Sequence, residues 1–167
     1  FSVTLPARNL TVKPQPVSIL AEAQWLETTN FEKIKKDRTL YYRSFFKEFS
    51  LENNSDLKKA TLYLYPEASC FMQVNEKRVN INIEAGRLNA IDITGYIKKG
   101  DNMMVLNFPY IEGLKVMAAR LIIEYKNFDK VEMFTDASWV TTDLYWFPSF
   151  LNRNFGKPEA PTIVPAP

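Results

Sequence analysis

The chain has 167 residues, 46% apolar and 14% aromatic, with 21 Lys and Arg against 19 Asp and Glu for a formal net charge of +2. That length and composition fill one core, and the interspersed charge offers no clustered basic face of the kind nucleic acid requires. With no histidine and one cysteine, the sequence excludes Ser-His-Asp and Cys-His catalysis, histidine metal sites and an intrachain disulfide.

Residues 1–16 hold three prolines and read as an extended N-terminal segment. There is no initiating Met and no signal peptide, so the chain is expected to start after processing or at a boundary in a longer polypeptide. No apolar run reaches the length of a membrane span. Residues 17–25 are compatible with a short helix or a strand and lead to Trp25, expected in the core. Residues 28–37 are polar and read as a loop, with the basic run around Lys33, Lys35 and Lys36 as a solvated face.

Residues 39–51 alternate, with Tyr41, Phe45 and Phe49 on one side and Leu40, Tyr42 and Phe46 on the other. Apolar residues on both faces suit a strand covered on both sides. After a turn at 52–56, residues 57–65 and 69–74 read as antiparallel strands interrupted near Pro66. Cys70, beside Phe71 and Met72, reads as a buried thiol acting as a small apolar residue. Residues 75–78 form a tight turn, and 79–83 continue the chain.

Residues 91–106 are the most legible stretch. Ile91 and Ile93 alternate with Asp92 as on a half-buried strand. Thr94 is expected to cap a short helical turn, with Lys98 and Lys99 at its C-terminal end and Gly100 in the left-handed conformation that ends it. Asp101 and Asn102 then lead into the apolar run 103–106. Residues 109–115 read as a loop carrying Tyr110, Glu112 and Gly113. Residues 116–125 and 131–135 read as a final hairpin, and 141–155 as an aromatic-rich, irregular segment. Residues 156–167 contain four prolines and read as a linker. Many short strands with almost no helical periodicity predict an all-β antiparallel sandwich. Its domain would span 17–155, and its core would hold Ile93, Leu106, Leu121, Ile123 and Trp139.

Residues 91–106, IDITGYIKKGDNMMVL, resemble the "YDVTxYLKxGxNxIAV" segment of galactose-binding-like β-sandwich modules attached to bacterial glycoside hydrolases, such as the N-terminal domains of α-L-rhamnosidases and the sugar-binding domain of β-galactosidase-type enzymes. Tyr42-Arg43-Ser44-Phe45 resembles the early "YxRxxF" strand of that family. Residues 59–64 and 73–75 resemble its "KATLxI…YxVNG" pair, and 121–139 its "LxIxYxDG…TDxSW" hairpin. The order and spacing of these segments, from about residue 25 to 140, carry the resemblance; no single motif does. Glu76 stands where the family has the glycine of "VNG", and Phe128-Asp129 replaces its "DG" turn. The resemblance implies a jelly-roll sandwich.

Glycosidases use a pair of carboxylates. Asp136, Glu132, Glu112 and Asp92 are the candidates, and nothing in their surroundings marks a pair, so this chain alone is expected not to be an enzyme. Sugar-binding modules stack pyranose rings on aromatic faces beside polar side chains. Trp146, next to Tyr145, Phe147 and Phe150, offers such a face, although docking against a neighbouring domain or the sandwich edge is favoured about two to one over sugar contact. Tyr110 lies in a loop beside Glu112. No cofactor is expected. The family often holds a structural calcium, for which Asn53, Asn54 and Asp56 form the best oxygen-rich cluster, with an ordinary polar turn the simpler reading.

Two functional readings result. In the first, the chain is a non-catalytic carbohydrate-binding-like module of a larger carbohydrate-active enzyme, bacterial and secreted, periplasmic or on the cell surface. Its ligand-binding residues would be Asn75, Arg87, Tyr110, Glu112 and Trp146. The partners would be a glycan and a neighbouring catalytic domain of the same polypeptide, with no nucleic acid. In the second, the module packs on a catalytic domain and binds no sugar.

Overall fold

A computed structural model describes residues 18–28, 42–52, 56–109, 115–142 and 159–166. They form two antiparallel sheets packed face to face, the all-β sandwich expected from the strand spacing. The strands are β1 (Trp25–Glu27), β2 (Tyr42–Leu51), β3 (Leu57–Pro66), β4 (Phe71–Val74), β5 (Lys77–Arg78), β6 (Asn89–Asp92), β7 (Gly100–Pro109), β8 (Val116–Tyr125), β9 (Lys130–Phe134), β10 (Val140–Thr142) and β11 (Thr162–Val164). One sheet runs β11-β1-β8-β3-β6, with β9 also paired to β8; the other runs β10-β2-β7-β4-β5.

Most connections cross from one sheet to the other. The chain passes from β2 to β3, from β3 to β4, from β5 to β6, from β6 to β7 and from β7 to β8 in this way. Each long strand therefore sends alternate side chains into a shared interior. Ala60, Leu62 and Leu64 of β3 face Leu121 and Ile123 of β8, with Phe45 of β2 and Met104, Leu106 and Phe108 of β7 on the opposite wall. All five residues expected in the core are buried: Ile93, Leu106, Leu121, Ile123 and Trp139. Trp25 is only half-buried. It packs edge-on to Tyr65 at 5.3 Å on the outer face of the first sheet, beneath the turn at residues 18–22 that carries Ile19 and Leu20. That segment, open between helix and strand in the sequence, is a turn that roofs the sheet.

The C-terminal tail also departs from expectation. Residues 156–167 read as a linker, yet Thr162–Val164 pair antiparallel with β1, and Glu159 bridges to Thr141 of the other sheet. Prolines are tolerated there because β11 is an edge strand with one side free of ladder bonds.

In residues 91–106, the short helical turn is the 3-10 turn Thr94–Tyr96. Thr94 does not cap it. Instead Thr94 donates its backbone N–H (2.9 Å) and hydroxyl (2.6 Å) to Asp92 Oδ1, and its Oγ1 accepts the N–H of Ala60 at 2.9 Å. The turn is thus tied to β3. Gly100 is left-handed as expected, with φ 78°, and opens β7.

Among the described residues, three non-glycines also have positive φ: Asn75 (49°), Glu76 (69°) and Phe128 (70°). Phe128 sits at the β8–β9 hairpin tip and is 91% exposed, so no core burial offsets its strain. Phe128→Gly is expected to raise stability by about 0.5–1 kcal/mol, the left-handed penalty of an L side chain less the backbone entropy of glycine. A higher urea midpoint at unchanged slope would show it; a lower midpoint would mean that the ring is packed in solution.

Candidate functional site

The outer faces of the two sheets differ. Residues 18–22 roof the first. The second carries a groove of about 940 Å³ along the β2–β7 pair, at the upper end of the range of about 300–1,000 Å³ for ligand pockets. It arises from strand parity. Because Phe45 and Leu106 point inward, their chain neighbours point outward, and the register sets Ser44 opposite Asn107, Phe46 opposite Val105, Glu48 opposite Met103 and Ser50 opposite Asp101. Four such pairs span roughly 20 Å along the strands.

The groove changes character along its length. At the β10 end, Thr142 pairs with Ser44, and both are buried hydroxyls. Ser44 Oγ donates to Asn107 Oδ1 at 2.7 Å. Thr142 Oγ1 and Asn107 Nδ2 have no hydrogen-bond partner among the described residues, nor has Gln73 Oε1 beside Val105 on the same face. In the middle lie half-buried Phe46 and buried Val105. At the far end Glu48, Glu76 and Asp101 are exposed carboxylates against one exposed cation, Lys98.

That far end is held by two asparagines. Asn75 Nδ2 donates to Tyr96 O (2.8 Å) and Asn102 Oδ1 (2.7 Å), while Asn75 Oδ1 accepts the N–H of Met103 (3.0 Å). Asn102 Nδ2 donates to the carbonyls of Lys98 (2.8 Å) and Gly100 (2.9 Å), and its Oδ1 also accepts the Lys98 N–H. Both amides are committed to holding the β4–β5 turn on the start of β7.

Of the residues expected to bind ligand, Asn75 lies in this network and lines the groove. Arg87 is 75% exposed, ion-paired to Glu84 at 3.0 Å. It lies beside Gly86, which bonds to the end of β3 at Pro66, at the opposite end of the sandwich from Asn75. The two therefore do not share a site. Tyr110, Glu112 and Trp146 lie outside the described residues, as do Asn53 and Asn54. No group of three or more Cys, Asp or Glu side chains among the described residues is arranged to hold a metal. None of the helices there is long and apolar enough to cross a membrane. The groove residues Ser44, Phe46 and Thr142 were missed because their meeting depends on the long-range pairing of β2 with β7 and β10. The two-sided apolar pattern of β2 was the available signal.

Among the described residues the candidate carboxylates do not pair; Glu112 lies outside them. Glu132 on β9 is held below the usual carboxylate range by hydrogen bonds from Lys130 and Arg120. Asp136 lies past the end of β9, where it accepts the Ser138 N–H and hydroxyl and faces Lys47 of the other sheet at 4.0 Å. Asp92 is lowered by its bonds from Thr94. A general acid needs the reverse shift. Burial pushes the Cys70 thiol up to about 12. Iodoacetamide at pH 8 should therefore alkylate it at least about a hundredfold more slowly than a free thiol, since thiolate is the nucleophile. Between pH 9, the ordinary thiol value, and about 12, the unfolded chain ionises first, so stability falls as pH rises through that window. Rapid mass shift of the native protein would refute the burial.

No protein-family model and no curated protein matches the sequence. Solved structures do match. An α-L-rhamnosidase from Streptomyces avermitilis complexed with L-rhamnose aligns over 86% of this chain at 19% identity and TM-score 0.64. An α-L-rhamnosidase from Dictyoglumus thermophilum aligns over 73% at 18% identity and TM-score 0.58. This chain spans only 14% and 16% of those two proteins. A lectin from Pleurotus ostreatus in complex with GalNAc aligns over 83% at 16% identity and TM-score 0.59, with 42% of the lectin covered. Similarity at these identities is a statement about fold: the chain has a β-sandwich like those found within these α-L-rhamnosidases and in the Pleurotus lectin.

Proposed function

We propose that the chain is a non-catalytic, carbohydrate-binding-like accessory module of a larger carbohydrate-active enzyme that acts outside the cytoplasm of a bacterium. The β-sandwich shared with parts of the rhamnosidases and with the lectin carries this reading. The groove along β2 and β7 supports it, since its lining offers the hydroxyl of Ser50 and the carboxylates of Glu48 and Asp101, groups able to bond sugar hydroxyls. The shared fold supports the context, since in the rhamnosidases it forms a small part of a long chain. Loop residues Tyr110, Glu112 and Trp146 extend the candidate contacts, with Arg87 at one end of the sandwich. The reading requires no cofactor.

The second reading is a structural interdomain module that binds no sugar. Its support is Asn75, whose amide is used up inside the fold. Calorimetric titration against rhamnose- and galactose-terminated glycans separates the two. The first reading expects weak, measurable binding, because a shallow site desolvates many hydroxyls for little buried area. Absence of binding across the panel would favour the second. Turnover of aryl glycosides by the isolated chain would overturn both.

A further inference from the structure

We propose that the tip of the β8–β9 hairpin is a docking spike whose partner is a second copy of this chain, with Phe128 of one copy entering the acidic end of the β2–β7 groove of the other. The inference goes beyond the carbohydrate-binding reading and does not rest on it. Three observations carry it. The first is Phe128 itself. It is 91% exposed, against 39–50% for Val131, Ile81 and Ile163, the other exposed large apolar residues among those described. Its φ of 70° is one that an aromatic residue adopts only at a cost. A ring kept at that cost and left in water is placed for a contact outside its own chain.

The second observation is rigidity. Phe128 donates its N–H to Tyr125 O at 3.1 Å, and Tyr125 donates its N–H to Asp129 O at 2.9 Å. Asn127 Nδ2 donates to Asp129 Oδ2 at 2.7 Å, and Asn127 Oδ1 accepts the Asp129 N–H at 3.2 Å. Lys126 donates its N–H to Asp56 O at 2.7 Å, which ties the tip to the start of β3. A preorganised anchor loses little entropy on binding.

The third observation is complementarity. Lys126 and Lys130 flank the ring, and Lys58 lies at the β3 bulge beside Tyr125. Lys130 pairs with Glu132 at 2.5 Å, which leaves Lys58 and Lys126 without an ion-pair partner among the described residues. The groove presents the converse. Its acidic end has exposed Glu48, Glu76 and Asp101 against Lys98, around half-buried Phe49 and Met103. An aromatic edge and a thioether suit an entering ring, and the carboxylates suit the lysines beside it. The tip extends from one sheet, while the groove lies on the outer face of the other with the core between them, so a tip meets a groove on another copy. An apolar anchor matched to a pocket elsewhere on the same molecule is an arrangement that drives self-association. A glycan seated in the groove and the tip of a second copy exclude each other.

The test is analytical ultracentrifugation of the intact chain over a concentration series. The average mass should rise with concentration. Phe128→Gly, expected above to stabilise the fold, should weaken association at least tenfold, which separates a lost contact from misfolding. Glu48→Lys with Asp101→Lys, both exposed positions, should do the same, and raised salt should weaken association of the unaltered chain several-fold. Mixing the Phe128→Gly chain with the Glu48→Lys, Asp101→Lys chain should restore association, since one keeps its groove and the other its tip. The mass of a single chain up to about 1 mM would overturn the proposal. So would association that Phe128→Gly or the groove variant leaves intact, or that mixing fails to restore. None of these results bears on glycan binding, which the calorimetric titration decides.

Discussion

Phe108→Ala is expected to cost about 3–5 kcal/mol, the range for deleting a fully buried aromatic ring. Phe108 is 0% exposed and meets Phe45 of the neighbouring strand edge-on, with centroids 5.9 Å apart. Truncation removes that pair and leaves a cavity between sheets whose backbones are fixed by ladder bonds on β7, so little collapse can fill it. Against a typical domain stability of about 5–15 kcal/mol, one substitution removes much of the total. Urea unfolding of the two proteins measures it. A loss below about 1 kcal/mol would mean that the two sheets pack less closely than their alternating side chains require.

The second large effect is expected at Asn102. Asn102→Ala should cost about 2–4 kcal/mol, because it unpairs the Lys98 N–H, the Asn75 amide and the carbonyls of Lys98 and Gly100 together. Asn102 is 2% exposed, while Lys98 is exposed, so water can replace part of the network and the cost stays below the sum of four bonds. Ser50→Ala, an exposed change on the same groove, should stay within about half a kcal/mol. Equal effects for the two variants would show that the asparagine pair is not what holds the β4–β5 turn.

Both expectations bear on how the sequence could be read. Strand alternation placed Ile93, Leu106, Leu121 and Ile123 in the core because parity is a local property, whereas Trp25, expected there too, is half-buried on the outer face of β1. The resemblance ran through the same strands, and its two departures, Glu76 and Phe128, lie at positions where the backbone has positive φ. At Glu76 the fold keeps a left-handed turn without the family's glycine, while at the β8–β9 hairpin the left-handed residue is Phe128 and Asp129 stands in the glycine's place.

Function was less legible. Asn75 looked like a ligand contact because it sits in a turn, yet the structure spends its amide on Tyr96, Asn102 and Met103. Arg87 looked like its neighbour in a site, yet lies at the other end of the sandwich. Sequence order cannot reveal this when consecutive strands cross between sheets and alternate ends.

The sequence by itself determined the all-β class, the long strands and the residues that fill the core, since these depend on the period of two along each strand. Only the tertiary structure decided which side chains line the groove along β2 and β7. Among the described residues, 18–22 cover one sheet, the tail 162–164 joins the edge of that same sheet, and the groove runs along the other. Its residues Ser44, Phe46, Val105 and Thr142 come from three strands far apart in the chain. Their meeting depends on long-range pairing, which no local pattern encodes.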